Sequence, residues 1–337
     1  MDRRHFIAGA SARSSSTAIA RTVPFVPQFG ARSRVIIVND IAGDPDGLLS
    51  TVHALLSPST DLRAIVATGT NVQPGENAER AAALTHEILR LMKLTGKVPV
   101  YQGAPNRTRD AGVPVPSAGS QAIIDEAMRS DTELPLYVTV GAGLTEVAAA
   151  LMVEPRIAEK FTLVWIGGGP PDNKVPLEYN LNIDPLAAMH VFNQSQVPIF
   201  QIPSDVYAQC MVSMSELQAR VAPQGAIGAW LFDKLAKGPD MFRQVKLNTG
   251  ENWTLGDSPL VLLTALTAWL PSGRSGKAPK FEMTGSSRYD EMFVPEISRT
   301  GVYTPRSEGR KMRLYRTVDT RMMFEDFYAK LQLHYGR

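Results

Sequence analysis

The chain has 337 residues, 44% hydrophobic and 20% charged, so it can bury a sizeable core and is too apolar for a disordered polypeptide. Lys and Arg number 35 against 33 Asp and Glu, a net charge of +2, which excludes the strongly basic surface of a nucleic-acid binder and points to a small-molecule partner. Cys210 is the only cysteine, which excludes an intrachain disulfide and a thiolate zinc site, and no apolar run is long enough to span a membrane.

Residues 1–33 stand apart. Arg3 and Arg4 precede Phe6-Ile7, and Ala18-Ile19-Ala20 forms a small-residue cleavage pattern, so the stretch reads as a twin-arginine signal for export to the periplasm. Arg13 and the serines 14–16 interrupt its apolar part, and the alternative is a disordered tail on a cytoplasmic protein. Residues 34–337 read as a single domain, with no repeat and no linker.

In chain order, RVIIV at 34–38 predicts a strand and 46–57 a helix; LRAIVAT at 62–68 a strand and 76–94 a helix. VPVY at 98–101, LYVTV at 136–140, FTLVWIG at 161–167 and PIFQIP at 198–203 continue the strands, alternating with helical patterns over 119–130, 144–152 and 185–193. Continuous apolar strands separated by helices predict an α/β fold, a doubly wound, mostly parallel central sheet with helices on both faces. Residues 210–270 read mainly as helices, an elaboration in the C-terminal third, before a late strand at MRLYRTVD and a closing helix at MMFEDFYAKLQ.

Ligands of such sheets bind beyond the carboxyl ends of the strands. Those ends are polar here: Asn39, Asp40, Asp44 and Asp46 follow the first strand, Asn71 the second, Gly141 the LYVTV strand, and Asp172, Asn173, Glu178 and Asn180 follow LVWIGGG, with Asp257 at a later helix start. Asp44, Asp46 or Asp257 alone would serve as a helix cap. Three crowded aspartates raise one another's pKa unless a cation neutralises them, and a hard divalent ion with oxygen ligands answers that need. The loop is not an EF-hand, because register with Gly47 places His53 where the final glutamate belongs. DPDGLL lacks the threonine and strand spacing of a haloacid-dehalogenase motif, and DPD alone is too short to identify a glycosyltransferase.

Taken together, these segments resemble the nucleoside hydrolase superfamily, the inosine-uridine-preferring enzymes and their relatives. LEYNLNIDPLAAMHVF at 177–192 is similar to the family's EFN-x-x-x-DPEAA-x-x-V segment, AGLTEVAAAL from Ala142 to its GGLTN-[IL]-A segment, and IVATGTN to the strand ending in a substrate-binding asparagine. The resemblance implies Ca²⁺ held by Asp40, Asp46, the Gly141 carbonyl and Asp257, with Asp40 also acting as general base for the metal-bound water. It implies that Asp44, Asn71, Asn173, Glu178 and Asn180 hold the ribose hydroxyls and the 5′ end. Trp253, shortly before Asp257, is a candidate for stacking on the base or, equally, for the core. Two positions depart from the family: Gly47 stands where a second adjacent aspartate belongs, and Gly256 where the inosine-uridine enzymes carry a histidine.

The leading expectation is a calcium-dependent hydrolase of N-ribosides, acting on a nucleoside or another ribose-containing small molecule. A sugar or nucleoside binder with little or no turnover, a hydrolase of another glycoside, and a structural or partner-binding protein on the same fold are the alternatives. By resemblance a homodimer or homotetramer is expected.

Overall fold

The computed structural model describes residues 24–28, 30–70, 76–105, 115–172, 174, 177–238, 250–270, 281–283 and 285–336. Residues 1–23, most of the stretch read as an export signal, and Asn71 and Asn173 lie outside the described residues. Following β1 (Ser33–Asn39), the chain runs through α1 (Asp46–Leu55), β2 (Thr60–Ala67), α2 (Ala78–Leu91), β3 (Val100–Gln102), α3 (Ala118–Ala127) and β4 (Leu136–Gly141). It continues with α4 (Thr145–Val153), β5 (Thr162–Ile166), α5 (Tyr179–Ile183), α6 (Pro185–Met189), β6 (Ile199–Ile202) and α7 (Ser204–Tyr207). Helices α8 (Met214–Arg220) and α9 (Gly225–Lys237) precede β7 (Arg288–Phe293), β8 (Lys311–Thr317) and the closing helix α10 (Thr320–Tyr335).

These eight strands form one sheet in the order β7-β8-β6-β5-β4-β1-β2-β3. Every pairing is parallel except that of the edge strand β7 with β8. The sheet is covered on both faces, which is why its strands are apolar on both sides rather than alternating. Ile36 and Val38 of β1 pack with Ile123 of α3 and Val147 of α4. Val35 and Ile37 point the other way, onto Ala54 and Leu55 of α1. A larger cluster on that second side joins Val164 and Ile202 to Leu48 of α1, Leu231 of α9 and Phe327 of α10.

Strand order places β2 and β3 on one side of β1 and β4 to β6 on the other, so a crevice opens at the carboxyl ends between β1 and β4. Asn39 is in register with Gly141 across that pair. Asp40 therefore leaves the sheet beside the end of β4.

Several residues of the family-like segments hold backbone in place. Asp184 caps α6, accepting from the Ala187 N–H at 3.2 Å, and its other oxygen accepts from the Thr145 hydroxyl at the start of α4 at 2.9 Å. One carboxylate thus ties the DPLAA segment to the LTE segment. Asn77 caps α2 and Ser117 caps α3.

The region read as mainly helical is more mixed. Met211–Ser213 pairs antiparallel with Asn252–Thr254, and Ala268–Leu270 with Phe281–Met283. Strands of three residues carry no measurable period, so their pairing is set by tertiary contacts alone. Strand β7 was not foreseen either; its sequence RYDEMF keeps charge on an exposed edge, which suits an edge strand and masks the apolar signal.

Candidate active site

Asp40, Asp44, Asp46, Gly141, Glu178, Asn180, Gly256 and Asp257 line one cavity of about 80 Å³ at this crevice, together with Ile166, Tyr179 and Tyr207. Six chain segments supply these residues, Ile166 from the end of β5 and Tyr207 from α7 among them. The loop after β1 contributes the aspartates, the end of β4 the glycine, the segment entering α5 Glu178 and Asn180, and the turn before Pro259–Val261 contributes Asp257.

Backbone and side chain fix the carboxylates against one another. The Asn39 amide donates to Asp257 Oδ2 at 2.6 Å, and the Asp257 N–H donates to Asp46 Oδ2 at 3.0 Å. The Asp46 N–H in turn donates to Asp44 Oδ1 at 3.1 Å, so Asp44 does satisfy one orphan donor at the start of α1 while still facing the cavity. Gly141 has to be glycine, because a Cβ there would stand 2.3 Å from both Asp257 carboxylate oxygens. Gly47 is constrained alike by the Asn39 side chain, 2.0 Å from its would-be Cβ. The departure from paired aspartates at this position makes room for the residue that orients Asp257.

Glu178 is held on both oxygens. Oε2 accepts from the N–H groups of Gly168 and Leu181 at 2.7 and 3.0 Å, and Oε1 from the Tyr207 hydroxyl at 2.7 Å. Asn180 donates to the Ile166 carbonyl at 2.9 Å, which anchors it to the end of β5. Trp253 is not among the cavity-lining residues; it packs on the core cluster, its ring 3.5 Å from where a Cβ of Gly238 would stand.

Burial pushes the Asp40 carboxyl well above its ordinary pKa, and the neighbouring charges of Asp257 and Asp44 push it further. Asp46 is raised in the same way, by burial and then by Asp257 and Asp44. Asp257 is pushed up to about 7 by burial, although the Asn39 hydrogen bond pulls it down. Four close carboxylates without a counter-ion are expensive, and a bound cation reverses each of these shifts.

The donor set fits such a cation. Asp40 Oδ2 and Asn39 Oδ1 are buried without a hydrogen-bond partner, and every side-chain donor here is a hard oxygen, as calcium requires. Among the described residues no group of three or more His, Cys, Asp or Glu side chains stands in an arrangement that could hold a metal ion as it is. The aspartates share a cavity.

Tyr179, Tyr207 and Asn39 were not singled out from sequence as site residues. Tyr179 opens one helix and Tyr207 closes another, both too short to show a period, so neither carries a positional signal in the sequence. Asn39 was visible as a polar residue at a strand end, but its partner is 218 residues away.

Fold and pocket together define a doubly wound α/β protein with its acidic residues gathered at the switch point of a parallel sheet. Residues 35–325 match the inosine-uridine preferring nucleoside hydrolase family. The chain belongs to that family, and is therefore an N-glycosyl hydrolase. It is 25% identical over 241 residues to a pyrimidine-specific ribonucleoside hydrolase of Citrobacter koseri, covering 64% of this chain and 72% of that protein. Among solved structures it is similar to a plant nucleoside hydrolase, at a TM-score of 0.68 and 16% identity over 89% of this chain and 99% of the other. A purine-preferring ribonucleoside hydrolase from Gardnerella vaginalis superposes with a TM-score of 0.68 and 19% identity, over 90% and 99% of the two chains.

Proposed function

We propose that the protein is a calcium-dependent hydrolase of ribonucleosides, converting a nucleoside and water to ribose and free base. The observation that carries this reading is Asp40: it lines a cavity that Asp46, Gly141 and Asp257 also line, and its Oδ2 is buried without a hydrogen-bond partner. A carboxylate with a raised pKa and an unpartnered oxygen at the cavity wall is suited to take a proton from water. Calcium, when bound by Asp40, Asp46, the Gly141 carbonyl and Asp257, supplies the positive charge that neutralises these groups and lowers the cost of ionising water.

The remaining residues orient the sugar. Asp44 and Asn180 line the cavity beside Asp40, and with Asn71 and Asn173 they are assigned to the ribose hydroxyls. Glu178, locked by two backbone N–H groups and Tyr207, fixes the wall at the 5′ end. As the glycosidic bond breaks, the ribose takes on oxocarbenium character, which the surrounding carboxylates favour.

A second reading, a nucleoside binder without turnover, draws on Gly256, since no side chain there can assist the leaving base. One assay separates the two. The names of the relatives cover pyrimidine and purine bases, so purified protein is incubated with inosine, adenosine, uridine and cytidine, with calcium or with a chelator. Ribose released only with calcium is the expected result. Saturable binding with no ribose supports the binder, and release undiminished by chelation removes calcium from the mechanism.

A further inference from the structure

The groups lining the cavity sort by what they can offer a departing base. Asp40, Asp44, Asp46, Glu178 and Asp257 offer carboxylates, and Glu76, which accepts from the Thr70 hydroxyl, stands close enough for its charge to act on Asp40 and Asp44. Among the described residues no Lys, Arg or His lines the cavity. The donors that do line it are engaged with the protein: Tyr207 with Glu178 at 2.7 Å, Asn180 with the Ile166 carbonyl at 2.9 Å, and Tyr179 with Thr70. Position 256, a glycine, adds no side-chain donor, and a Cβ there would sit tightly, 3.2 Å from both the Tyr207 ring and Asp46 Oδ2. Asp40 Oδ2, by contrast, is buried without a hydrogen-bond partner. Among the described residues the pocket holds a base for water and no cationic acid for the leaving group.

A neutral purine or pyrimidine departs from C1′ as an anion unless something protonates it, and an anion is disfavoured beside five carboxylates. A base that is already a cation needs no proton. We propose that the preferred substrates are N-ribosides of quaternary, pyridinium-type bases, an inference that rests on the hydrolase reading above and names its substrate class. The C1′–N bond breaks with its electron pair passing to the ring nitrogen, which leaves as a neutral pyridine. The water oxygen bonds to C1′, and one water proton passes to Asp40 and on to solvent. Riboside cation and water thus give ribose, pyridine and one H⁺. Positive charge moves from the ring to the sugar without leaving the carboxylate-lined space, and the rings of Tyr179 and Tyr207 are suited to cover a cation.

The full chain, supplied with calcium, is assayed for ribose release from nicotinamide riboside, inosine and uridine. The expected kcat/KM for nicotinamide riboside exceeds that for either neutral nucleoside by about 100-fold, the scale of the general-acid assistance that a cationic base does not require. Glu76→Gln raises KM for nicotinamide riboside about threefold through the lost charge and leaves KM for uridine unchanged. Inosine or uridine turned over as fast as the cation, or a Glu76→Gln effect equal on both, overturns the cationic preference while the hydrolase reading stands. Ribose from none of the three overturns both.

Discussion

At the scale of single residues, Asp40 carries the largest conflict between stability and chemistry. Its carboxylate is buried, one oxygen has no partner, and the nearest charges are negative. Such a group destabilises the ion-free fold, so replacing it relieves strain while removing the base. Asp40→Asn is expected to lower kcat by about 10²- to 10⁴-fold, with the thermal midpoint in chelator unchanged or higher. Assay and melt are run on the same preparation. A variant that keeps its rate removes Asp40 as base, and one that unfolds shows that its role is structural. The sequence exposed Asp40 because it directly follows a strand end in an α/β pattern, where ligands bind. It showed Asn39 only as a polar strand end and did not show Tyr207, since neither residue type announces a partner. Their roles come from register: Asn39 opposite Gly141, and the Tyr207 ring against Gly256.

Among the elements, the parallel strands were legible because both faces of the sheet are covered, and VIIV or TLVWI cannot be mistaken for a half-exposed strand. The short pairings at 211–213 and 252–254 and the edge strand β7 were not, because length or charge erased the period. Helix α1, which begins with Asp46, is secured at its other end by a contact that sequence gave no reason to expect. Buried His53 meets Asp326 of α10 at 2.7 Å, and Lys330 bonds Asp326 and Ser57 at 2.6 and 3.0 Å. Burial lowers the His53 pKa from its ordinary 6.5, against the pull of Asp326. With the folded value below the unfolded one, the neutral histidine's contribution is complete above about pH 6.5 and is lost as pH falls through the folded value. Asp326 is opposed by burial, but hydrogen bonds from His53 and Lys330 hold it below 3.8, so its own loss comes only in stronger acid. The raised carboxyls of the site act with the opposite sign over the same range, so the His53 contribution is read as a difference: the denaturant midpoint of the wild type relative to His53→Phe is expected to fall between pH 7 and 5. Equal slopes in both proteins would assign the pH dependence to other groups.

Across the whole molecule, the site exists only when the sheet is complete. Asp40 and Asp46 follow the first strand, Gly141 ends the fourth, and Asp257 comes from beyond the sixth, so an ion held by all of them binds the folded chain and not its unfolded ensemble. Ligand linkage then makes calcium a stabiliser of global folding, by about 2.7 kcal/mol at a hundredfold excess over its Kd, which raises Tm by several degrees. Thermal melts with calcium and with chelator measure this directly, independently of any substrate. Asp257→Asn sharpens the test: position 257 can still bond Asn39, so the variant is expected to fold in chelator and to lose most of the calcium shift. A wild-type melt indifferent to calcium removes the ion from the site. A shift that survives Asp257→Asn intact places the ion elsewhere in the molecule, and the aspartates of the first loop would then need another counter-charge.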